Sequence, residues 1–301
     1  AEPRYEYSFG RQNWFSDSGE EHRAVREAVG LFDQTSFAKF LIQGRDAEAV
    51  MQRICANDVG VPAGRVVYTT MLNRHGGIEA DLTVTRLCED RYMVVTGGAG
   101  ERRDFQWIEQ SIPDGAHAFL TNVTSAYAVL GVMGPKSREL LSSLTGADLS
   151  NEAFPFLSSR KIEIGHAVVR ATRITYVGEL GWELYVPTEF ATHVYDVLVH
   201  KGQEHGMRHA GFHAMDSLRV EKGYRAWGSD LTDQDTPVEA GLRFAVAFEK
   251  AVEFNGKSAL LRQIEQGVRK RLVVFTLDDP EPLLLGDEPI YRNGEVVGRT
   301  T

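Results

Sequence analysis

Short strands that return on themselves through glycine turns constrain the fold of this chain more than any other feature. Apolar residues alternate over residues 65–72 and 81–87, and a pair of glycines lies between them. A second pair of strands is predicted over residues 163–174 and 181–187, because alternation with a period of two is typical of half-buried strands. Since helical segments separate these hairpins, the order predicts an α+β fold with mixed or antiparallel sheets. A doubly wound parallel sheet is not expected.

Helical patterns are interspersed with these strands. Residues 20–30 place Val25 and Val29 at helical spacing, and Gly30 is the expected C-cap. Asp46 is the expected N-cap of the next helix. Further helices are predicted at 102–112, 137–144, 190–200, 214–222 and 258–268, and further strands at 37–42, 92–96, 126–132 and 272–277.

The length of the chain predicts more than one lobe. It has 301 residues, and single hydrophobic cores stop growing near about 250–300 residues. We divide the chain into an N-terminal arm over residues 1–19, a main domain over residues 20–264 and a β-rich module over residues 265–301. That module is expected to end in a strand, an Asn-Gly turn and a second strand. The missing initiator Met and the abrupt end predict a piece of a longer polypeptide.

Charge and composition exclude several classes of protein. The net charge is −9 and the basic residues are scattered, so nucleic acid is not an expected partner. The apolar runs are far shorter than the about 18 residues that span a bilayer, so no membrane segment is expected. Cys55 and Cys88 form neither a C-x-x-C pair nor a disulfide framework. Cysteine usage therefore predicts a reducing compartment, the cytoplasm or, in a eukaryote, the mitochondrial matrix.

The segment over residues 68–84, YTTMLNRHGGIEADLTV, contains the first candidate site. Gly76 and Gly77 permit tight backbone geometry and the close approach of a flat ligand. Asp81 stands among apolar strand residues, so its carboxylate is expected to be half-buried and either hydrogen-bonded or functional. The alternative is a hairpin-tip aspartate that bonds its own backbone, and pattern alone favours that alternative.

The segment over residues 173–187, RITYVGELGWELYVP, contains a second carboxylate, Glu183. Strand alternation places Glu183 on the same face as Tyr185 and opposite Trp182 and Leu184. An ionised carboxylate accepts two parallel N–H donors, which is the edge that a guanidine-like ring such as a pterin presents. An exposed strand glutamate is the alternative.

The segment over residues 217–230, SLRVEKGYRAWGSD, places Arg219 and Glu221 near a helix end. Residues two apart on a helix do not share a face, so each is expected to serve a different neighbour. Two other patterns carry no function. The GGAG turn at residues 97–100 lacks the third glycine of a dinucleotide loop. The histidines that recur every four residues from His205 lack a carboxylate, so no metal site is predicted.

Together these segments resemble the aminomethyltransferase family of the glycine cleavage T-protein. The family pattern N-x-x-G-G-x-x-x-D-L corresponds to residues 73–82, Y-x-G-E-x-G-x-E to residues 176–183, and S-L-R-x-E-x-G to residues 217–223. The phrases YVGELGWELYVP, EKGYRAWGSDLT and RYEYSFGRQNWF are most similar to the folate domain of dimethylglycine and sarcosine dehydrogenases. The resemblance extends from about residue 20 to the end.

The resemblance implies a multi-lobed folate-binding fold followed by the start of a C-terminal β-barrel. It implies tetrahydrofolate as cofactor, a small N-methyl amine as substrate, and FAD in a covalently linked upstream domain. The implied reaction transfers a one-carbon unit from the oxidised amine to tetrahydrofolate, which gives 5,10-methylenetetrahydrofolate. Asp81 would be the catalytic carboxylate beside the reacting nitrogens, and Glu183 would hold the pterin edge. Further folate contacts are implied at Tyr68, Val95, Tyr176, Arg219 and Trp227.

Two positions depart from the family pattern. T-proteins commonly carry two acids before the Leu of the first pattern and an Arg-Asp pair before Ser-Leu-Arg, where this chain has Ala80-Asp81 and Met215-Asp216. The arginine that contacts folate in T-proteins is therefore absent, which leaves open how the folate tail is held. Two alternative functions are a free aminomethyltransferase that receives its carbon from a lipoyl carrier, and a folate-binding assembly or repair factor without transferase chemistry.

Overall fold

The computed structural model describes residues 4–7 and 9–301, and two β-sheets meet at its centre. The strands of these sheets, in chain order, are β1 (Val29–Asp33), β2 (Ala38–Gln43), β3 (Val66–Leu72), β4 (Ile78–Cys88), β5 (Arg91–Thr96), β6 (Phe119–Asn122), β7 (Tyr127–Met133), β8 (Ser159–Ile164), β9 (Ala167–Thr172), β10 (Gly181–Pro187) and β11 (Met207–His209). Within the described residues, one sheet has the order β11-β1-β7-β10-β9-β8 and the other β3-β4-β5-β2-β6. The β1–β11 pair is parallel and the other pairs are antiparallel. The predicted α+β fold is confirmed.

Helices pack against both sheets. In the described part of the chain they are α1 (Phe15–Glu27), α2 (Ala47–Ile54), α3 (Glu101–Ser111), α4 (Ser137–Ser142), α5 (Ala191–Gly202), α6 (Phe212–Glu221) and α7 (Lys257–Gln266). Every predicted helix is present, although α1 begins and ends earlier than its pattern indicates.

One prediction about a helix end is wrong, and another is right in position only. Gly30 is not a helix C-cap but lies inside β1, where an added Cβ would come within 2.4 Å of Val25 Cγ2. The glycine therefore lets α1 lie close against the strand. Asp46 precedes α2 as predicted, but its side chain does not cap the helix. Its Oδ2 instead accepts a hydrogen bond from the backbone N–H of His117 at 2.7 Å.

Two strand predictions are also wrong. Residues 163–174 do not form one strand, because Gly165, at φ +58°, reverses the chain between β8 and β9. Residues 272–277 lie in a described segment without a strand, because an extended chain forms a sheet only when a neighbouring strand pairs with it. The final Asn-Gly hairpin is confirmed, with Asn293 and Gly294 at positive φ between β12 (Pro289–Arg292) and β13 (Glu295–Arg299). The barrel start and the domain limits stay predictions.

The six-stranded sheet buries one face beneath α4 and α5. Trp182 and Leu184 of β10 point to this side and share a core with Leu198 of α5. Glu183 and Tyr185 lie on the opposite face, as strand alternation predicts.

The five-stranded sheet has the same two-sided organisation. Leu82 and Val84 of β4 pack with Ile108 of α3 in a second core. Asp81 and Val95 lie on the other face of this sheet, because neighbouring strand residues alternate and Val95 packs away from that core.

The two remaining faces meet through a small apolar cluster. Met93 and Val95 from the five-stranded sheet pack against Val129 and Tyr185 from the six-stranded sheet. The side of each sheet that carries a predicted functional carboxylate therefore faces the other sheet.

One arginine of α1 connects the second and third sequence segments. Arg26 Nη1 donates to the carbonyl of Val177 at 2.6 Å and to Glu179 Oε1 at 3.0 Å. Its Nη2 donates to the carbonyl of Leu218 at 3.1 Å and to Glu221 Oε2 at 2.8 Å. Hydrogen bonds to charged groups of this kind contribute more than neutral ones, so Arg26 fixes the loop before β10 relative to α6.

The β3–β4 turn is packed against protein and not against open space. An added Cβ at Gly77 would lie 1.8 Å from the carbonyl oxygen of Asp233. The side chain of Asn73 accepts the backbone N–H of Gly77 at 3.0 Å and donates to the same Asp233 carbonyl at 3.0 Å. The prediction that Gly77 admits a flat ligand is therefore wrong, because the 233–235 loop occupies that side.

We expect Gly77→Ala to lower the free energy of unfolding by about 2–3 kcal/mol or more, because overpacking against a backbone carbonyl cannot be relieved by a rotamer change. Thermal unfolding followed by circular dichroism measures the change. Gly146→Ala is the matched control, since an added Cβ there meets nothing within 4 Å. Equal melting temperatures for the two variants would show that the turn is free to move.

Candidate functional site

Asp81 lies near the start of β4 with its carboxylate directed between the sheets. Its Oδ2 accepts a hydrogen bond from the hydroxyl of Tyr68 on β3 at 3.0 Å. Burial raises the pKa of Asp81, although hydrogen bonds from Tyr68 and from its own backbone N–H oppose that rise. The predicted half-buried carboxylate is confirmed. It is not a hairpin-tip residue, because β4 begins three residues earlier, at Ile78.

Tyr68 is enclosed on its ring face as well as at its hydroxyl. Phe244 stacks on the ring at a centroid distance of 6.0 Å and an interplanar angle of 25°. Burial and the adjacent Asp81 carboxylate raise the pKa of Tyr68 far above its ordinary value. The phenol therefore keeps its proton at neutral pH and acts as a donor to Asp81.

Tyr176 shares the space around Asp81. Its hydroxyl donates to the carbonyl of Arg225 at 2.6 Å, and its ring stacks on Tyr224 at 6.1 Å. Burial raises the pKa of Tyr176, and the charge of Asp81 contributes to the rise. Tyr176 likewise raises the pKa of Tyr68. The loop over residues 225–227 links the first and second sequence segments, because the carbonyl of Arg225 accepts the Tyr176 hydroxyl and Trp227 donates to Ile78.

Glu183 is buried on β10, so the exposed-glutamate alternative is wrong. Tyr185 donates its hydroxyl to Glu183 Oε2 at 2.6 Å. Burial raises the pKa of Glu183, and the nearby Tyr185 and Gln34 side chains oppose the rise. The amide nitrogen and oxygen of Gln34 are both buried, yet neither has a hydrogen-bond partner of normal geometry in the described structure.

Val95 connects the two carboxylate-bearing faces. It pairs with Thr83, two residues beyond Asp81 on β4, and packs in the same cluster as Tyr185, which holds Glu183. Its role as a folate contact stays a prediction.

Arg219 is placed differently from the other predicted contacts. Its guanidinium is almost fully buried and donates to Asp216 at 2.7 Å, to the carbonyl of Tyr224 at 3.1 Å and to Asp230. Glu221 instead pairs with Arg26, so the prediction that Arg219 and Glu221 serve different neighbours is confirmed. Arg219 thus fixes the loop after α6.

That loop positions Trp227 against β4. The Trp227 indole N–H donates to the carbonyl of Ile78 at 2.8 Å, three residues before Asp81. The guanidinium of Arg103 lies 3.6 Å from the Trp227 ring centroid. Neither Arg103 nor Gln34 is predicted from sequence, because each acts through contacts distant along the chain.

Other features of the described chain lie outside this space. No group of three or more metal-ligating side chains occurs among residues 4–7 and 9–301. In the same residues, every helix is too short or too polar to cross a membrane. Two surface hollows lie away from this space: one of about 460 Å³ beside α3, and one of about 210 Å³ between β1 and α6.

Comparison with known proteins places the fold in one class. A family model described as the GCVT N-terminal domain matches residues 3–250. The structure of glycine cleavage system aminomethyltransferase T from Bartonella henselae superposes with a TM-score of 0.76 at 26% identity, over 88% of this chain and 72% of that one. The fold is thus the aminomethyltransferase fold. The chain belongs to the glycine cleavage T-protein, or aminomethyltransferase, family.

Two curated relatives extend this comparison. The chain is 44% identical over 299 residues to 4-methylaminobutanoate oxidase (formaldehyde-forming) from Paenarthrobacter nicotinovorans, covering 99% of this chain and 36% of that protein. It is 38% identical over 301 residues to mitochondrial dimethylglycine dehydrogenase from Homo sapiens, covering 99% and 34%. The chain therefore spans about a third of the length of these relatives.

Proposed function

We propose that this chain binds tetrahydrofolate between its two sheets and transfers to it a one-carbon unit from an oxidised N-methyl amine. The product is 5,10-methylenetetrahydrofolate, and the chain acts as one part of a larger flavin-dependent oxidoreductase. The observation that carries the proposal is the Asp81 carboxylate, hydrogen-bonded to Tyr68 in a space shared with Tyr176. The names of the two relatives support an N-methyl amine as carbon donor. The compartment, cytoplasm or mitochondrial matrix, stays a prediction.

The polar groups near Glu183 fit a pterin ring. The buried amide of Gln34 lies beside Glu183 and interacts with its carboxylate, although neither amide atom has a hydrogen bond of normal geometry in the described structure. Buried polar groups of this kind are costly unless a partner satisfies them. Glu183 supplies a carboxylate whose Oε2 is fixed by Tyr185. A pterin edge carries adjacent N–H donors and a ring acceptor, so it is complementary to this pair of side chains.

The role of Asp81 follows from its environment. Folate supplies the nitrogen atoms that accept the one-carbon unit. The ionised Asp81 carboxylate balances the positive charge beside it as an electrostatic partner, and as a general base it then takes up the proton that the accepting nitrogen loses. Because Tyr68 holds Oδ2, the orientation of the carboxylate is fixed. Because burial raises its pKa, Asp81 is a better proton acceptor than an ordinary aspartate.

Aromatic side chains restrict water around these groups. Tyr224 covers Tyr176 and Phe244 covers Tyr68. Removing water strengthens the interaction of a carboxylate with nearby positive charge. The other implied contact, Arg219, is proposed to act through the loop that carries Trp227.

We expect Tyr68→Phe to shift the acid limb of the pH–rate profile to higher pH. The Tyr68 hydrogen bond lowers the pKa of Asp81, so its loss raises that pKa and extends the pH range in which Asp81 is protonated. A base is active when deprotonated, so activity is lost as pH falls through the raised pKa. At alkaline pH the rate should recover to within about threefold of the parent. Measuring kcat/KM over roughly pH 5 to 9 reveals the shift of the acid limb.

Tyr195→Phe is the control for this experiment, because Tyr195 lies on α5 and bonds only His209 in the described structure. A Tyr68→Phe profile that is scaled down uniformly, with an unmoved acid limb, would mean that Tyr68 does not act through Asp81.

The function is tested on the full polypeptide that contains this chain. With an N-methyl amine and tetrahydrofolate, methylenetetrahydrofolate should form faster than free formaldehyde condenses with tetrahydrofolate spontaneously. A coupled methylenetetrahydrofolate dehydrogenase reports the product, and heat-inactivated protein gives the spontaneous rate. Formation at the spontaneous rate only would contradict the proposal.

A free aminomethyltransferase is the second candidate, and the likeness to the Bartonella henselae protein favours it. This activity would require an aminomethyl-lipoyl carrier protein as donor and no flavin. Product formation with that carrier protein as the only carbon donor would favour the free aminomethyltransferase function. A folate-binding factor without transferase chemistry is the third candidate, and it predicts folate binding without turnover of either donor.

A further inference from the structure

The GGAG turn lies beside the Asp81 region. The register of β4 and β5 pairs Thr83 with Val95, and continuing it places Gly97 next to Asp81. Gly97 is exposed, and an added Cβ there would meet nothing within 4 Å. Gly98–Gly100 then forms a tight turn that leads into α3. The space beside Asp81 is therefore open at this end of the five-stranded sheet.

Arg103, in the first turn of α3, is held rigidly at this opening. Its Nε and Nη2 donate to Asp104 Oδ1 at 2.9 and 2.8 Å. Asp104 is buried and its Oδ2 accepts the hydroxyl of Thr96 at 2.5 Å. The guanidinium stacks on Trp227, and its charge acts on Asp81. Because Asp104 holds the Nε and Nη2 donors and Trp227 holds one face of the guanidinium, the direction of the remaining donor, Nη1, is fixed as well.

The remaining donor of Arg103 is available to a ligand. Its side chain is 37% exposed, and Nη1 forms no hydrogen bond among the described residues. The guanidinium groups of Arg219 and Arg225 already donate to protein carbonyls or carboxylates. Arg103 is thus a preorganised cation beside the reacting region.

The charge of the protein makes such a cation necessary for an anionic ligand. The chain has a net charge of −9, and Asp81 and Glu183 add carboxylates to the site itself. A folate carries carboxylates on its glutamate tail, which must leave the site at the end away from the pterin. A guanidinium binds a carboxylate more specifically than an ammonium does.

We propose that Arg103 and the GGAG turn form the subsite for the anionic glutamate tail of folate. The inference rests on the proposed function. The tail leaves the inter-sheet space past Asp81 and Gly97, and Arg103 Nη1 binds its carboxylate while Asp104 and Trp227 hold the guanidinium in place. Folates with longer glutamate tails gain from the same positive charge.

The test compares two ligands and two neighbouring arginines. Folinic acid carries the tail, and 6-methyltetrahydropterin does not. We expect Arg103→Gln to weaken folinic acid binding by about tenfold and to leave 6-methyltetrahydropterin binding unchanged in calorimetric titrations. The glutamine retains a donor for Asp104. Arg102→Gln is the matched control, because Arg102 is exposed on the same turn of α3 and lines the separate hollow with Glu101 and Phe105. Arg102→Gln should change the affinity for neither folinic acid nor 6-methyltetrahydropterin.

Each outcome has one interpretation. Equal losses for both ligands would overturn the subsite and give Arg103 a structural role through Trp227. An unchanged folinic acid affinity would overturn it as well. Arg103→Lys should restore part of the affinity, and added salt should weaken folinic acid binding in the parent more than in Arg103→Gln. Failure of the parent to bind either ligand would contradict the proposed function itself, which separates the two conclusions.

Discussion

Asp81→Asn is expected to lower kcat for methylenetetrahydrofolate formation by about 100-fold or more, because general-base catalysis typically contributes 10²–10⁴. Asparagine keeps the size of the side chain and can still accept the Tyr68 hydroxyl. It cannot take up a proton or balance positive charge. Folate affinity should stay within about threefold, since the binding contacts are elsewhere.

Product formation and folate binding are measured in parallel on the same preparations. Asp114→Asn is the control, because Asp114 is exposed in the turn after α3. Unchanged turnover in Asp81→Asn would remove Asp81 from the mechanism. A parallel loss of binding and turnover would give Asp81 a role in holding folate and not in proton transfer.

Glu183→Gln is expected to weaken folate binding by at least about tenfold, or about 1.4 kcal/mol. Glutamine replaces one acceptor by a donor that faces the donors of the pterin, and an unpaired buried group costs about 1–3 kcal/mol. Tyr185 can still donate to the amide oxygen, so the melting temperature near neutral pH should change little. Titration with folinic acid decides the result, with exposed Glu163→Gln of β8 as the control.

The ionisation of Glu183 adds a second readout. Its pKa is raised by burial, so its contribution to the free energy of unfolding is present at low pH and is lost as pH rises through that raised pKa. The Glu183→Gln substitution removes this pH dependence of the free energy of unfolding. Pterin donors favour the carboxylate, so folate binding should release a proton and strengthen as pH rises. Titrations in buffers of different ionisation enthalpy report that release. Equal affinity and equal proton release in the two proteins would place the pterin elsewhere.

Strand alternation predicted much of the site, because it is a local property. Placing Glu183 opposite Trp182 requires only that β10 be a strand with one buried face. The apolar neighbours of Asp81 in the same way predicted a half-buried carboxylate. Proximity of the two segments came from the resemblance, since no local pattern shows that two sheets meet there.

The missed features depend on contacts between distant residues. β1 contains Gly30, which propensity assigns to a helix end, yet packing against Val25 makes it a strand residue. β6 and β11 are short edge strands that form only because β2 and β1 are available to pair. The ion pairs of Arg219 with Asp216 and Asp230, which join α6 to the loop after it, are not indicated by any local pattern either.

The Arg26 connection has a consequence for how this chain tolerates change over generations. Glu179 and Glu221 lie on segments far apart in the sequence, yet both share one guanidinium. Replacing Arg26 alone would leave two carboxylates without their common partner. Replacing either glutamate alone would remove one of the two carboxylates that pair with the Arg26 guanidinium. We therefore expect substitutions at these three positions to be correlated across lineages. The loop before β10 and the end of α6 would then diverge as a single unit, so that a segment exchanged between relatives functions only when its partner is exchanged with it.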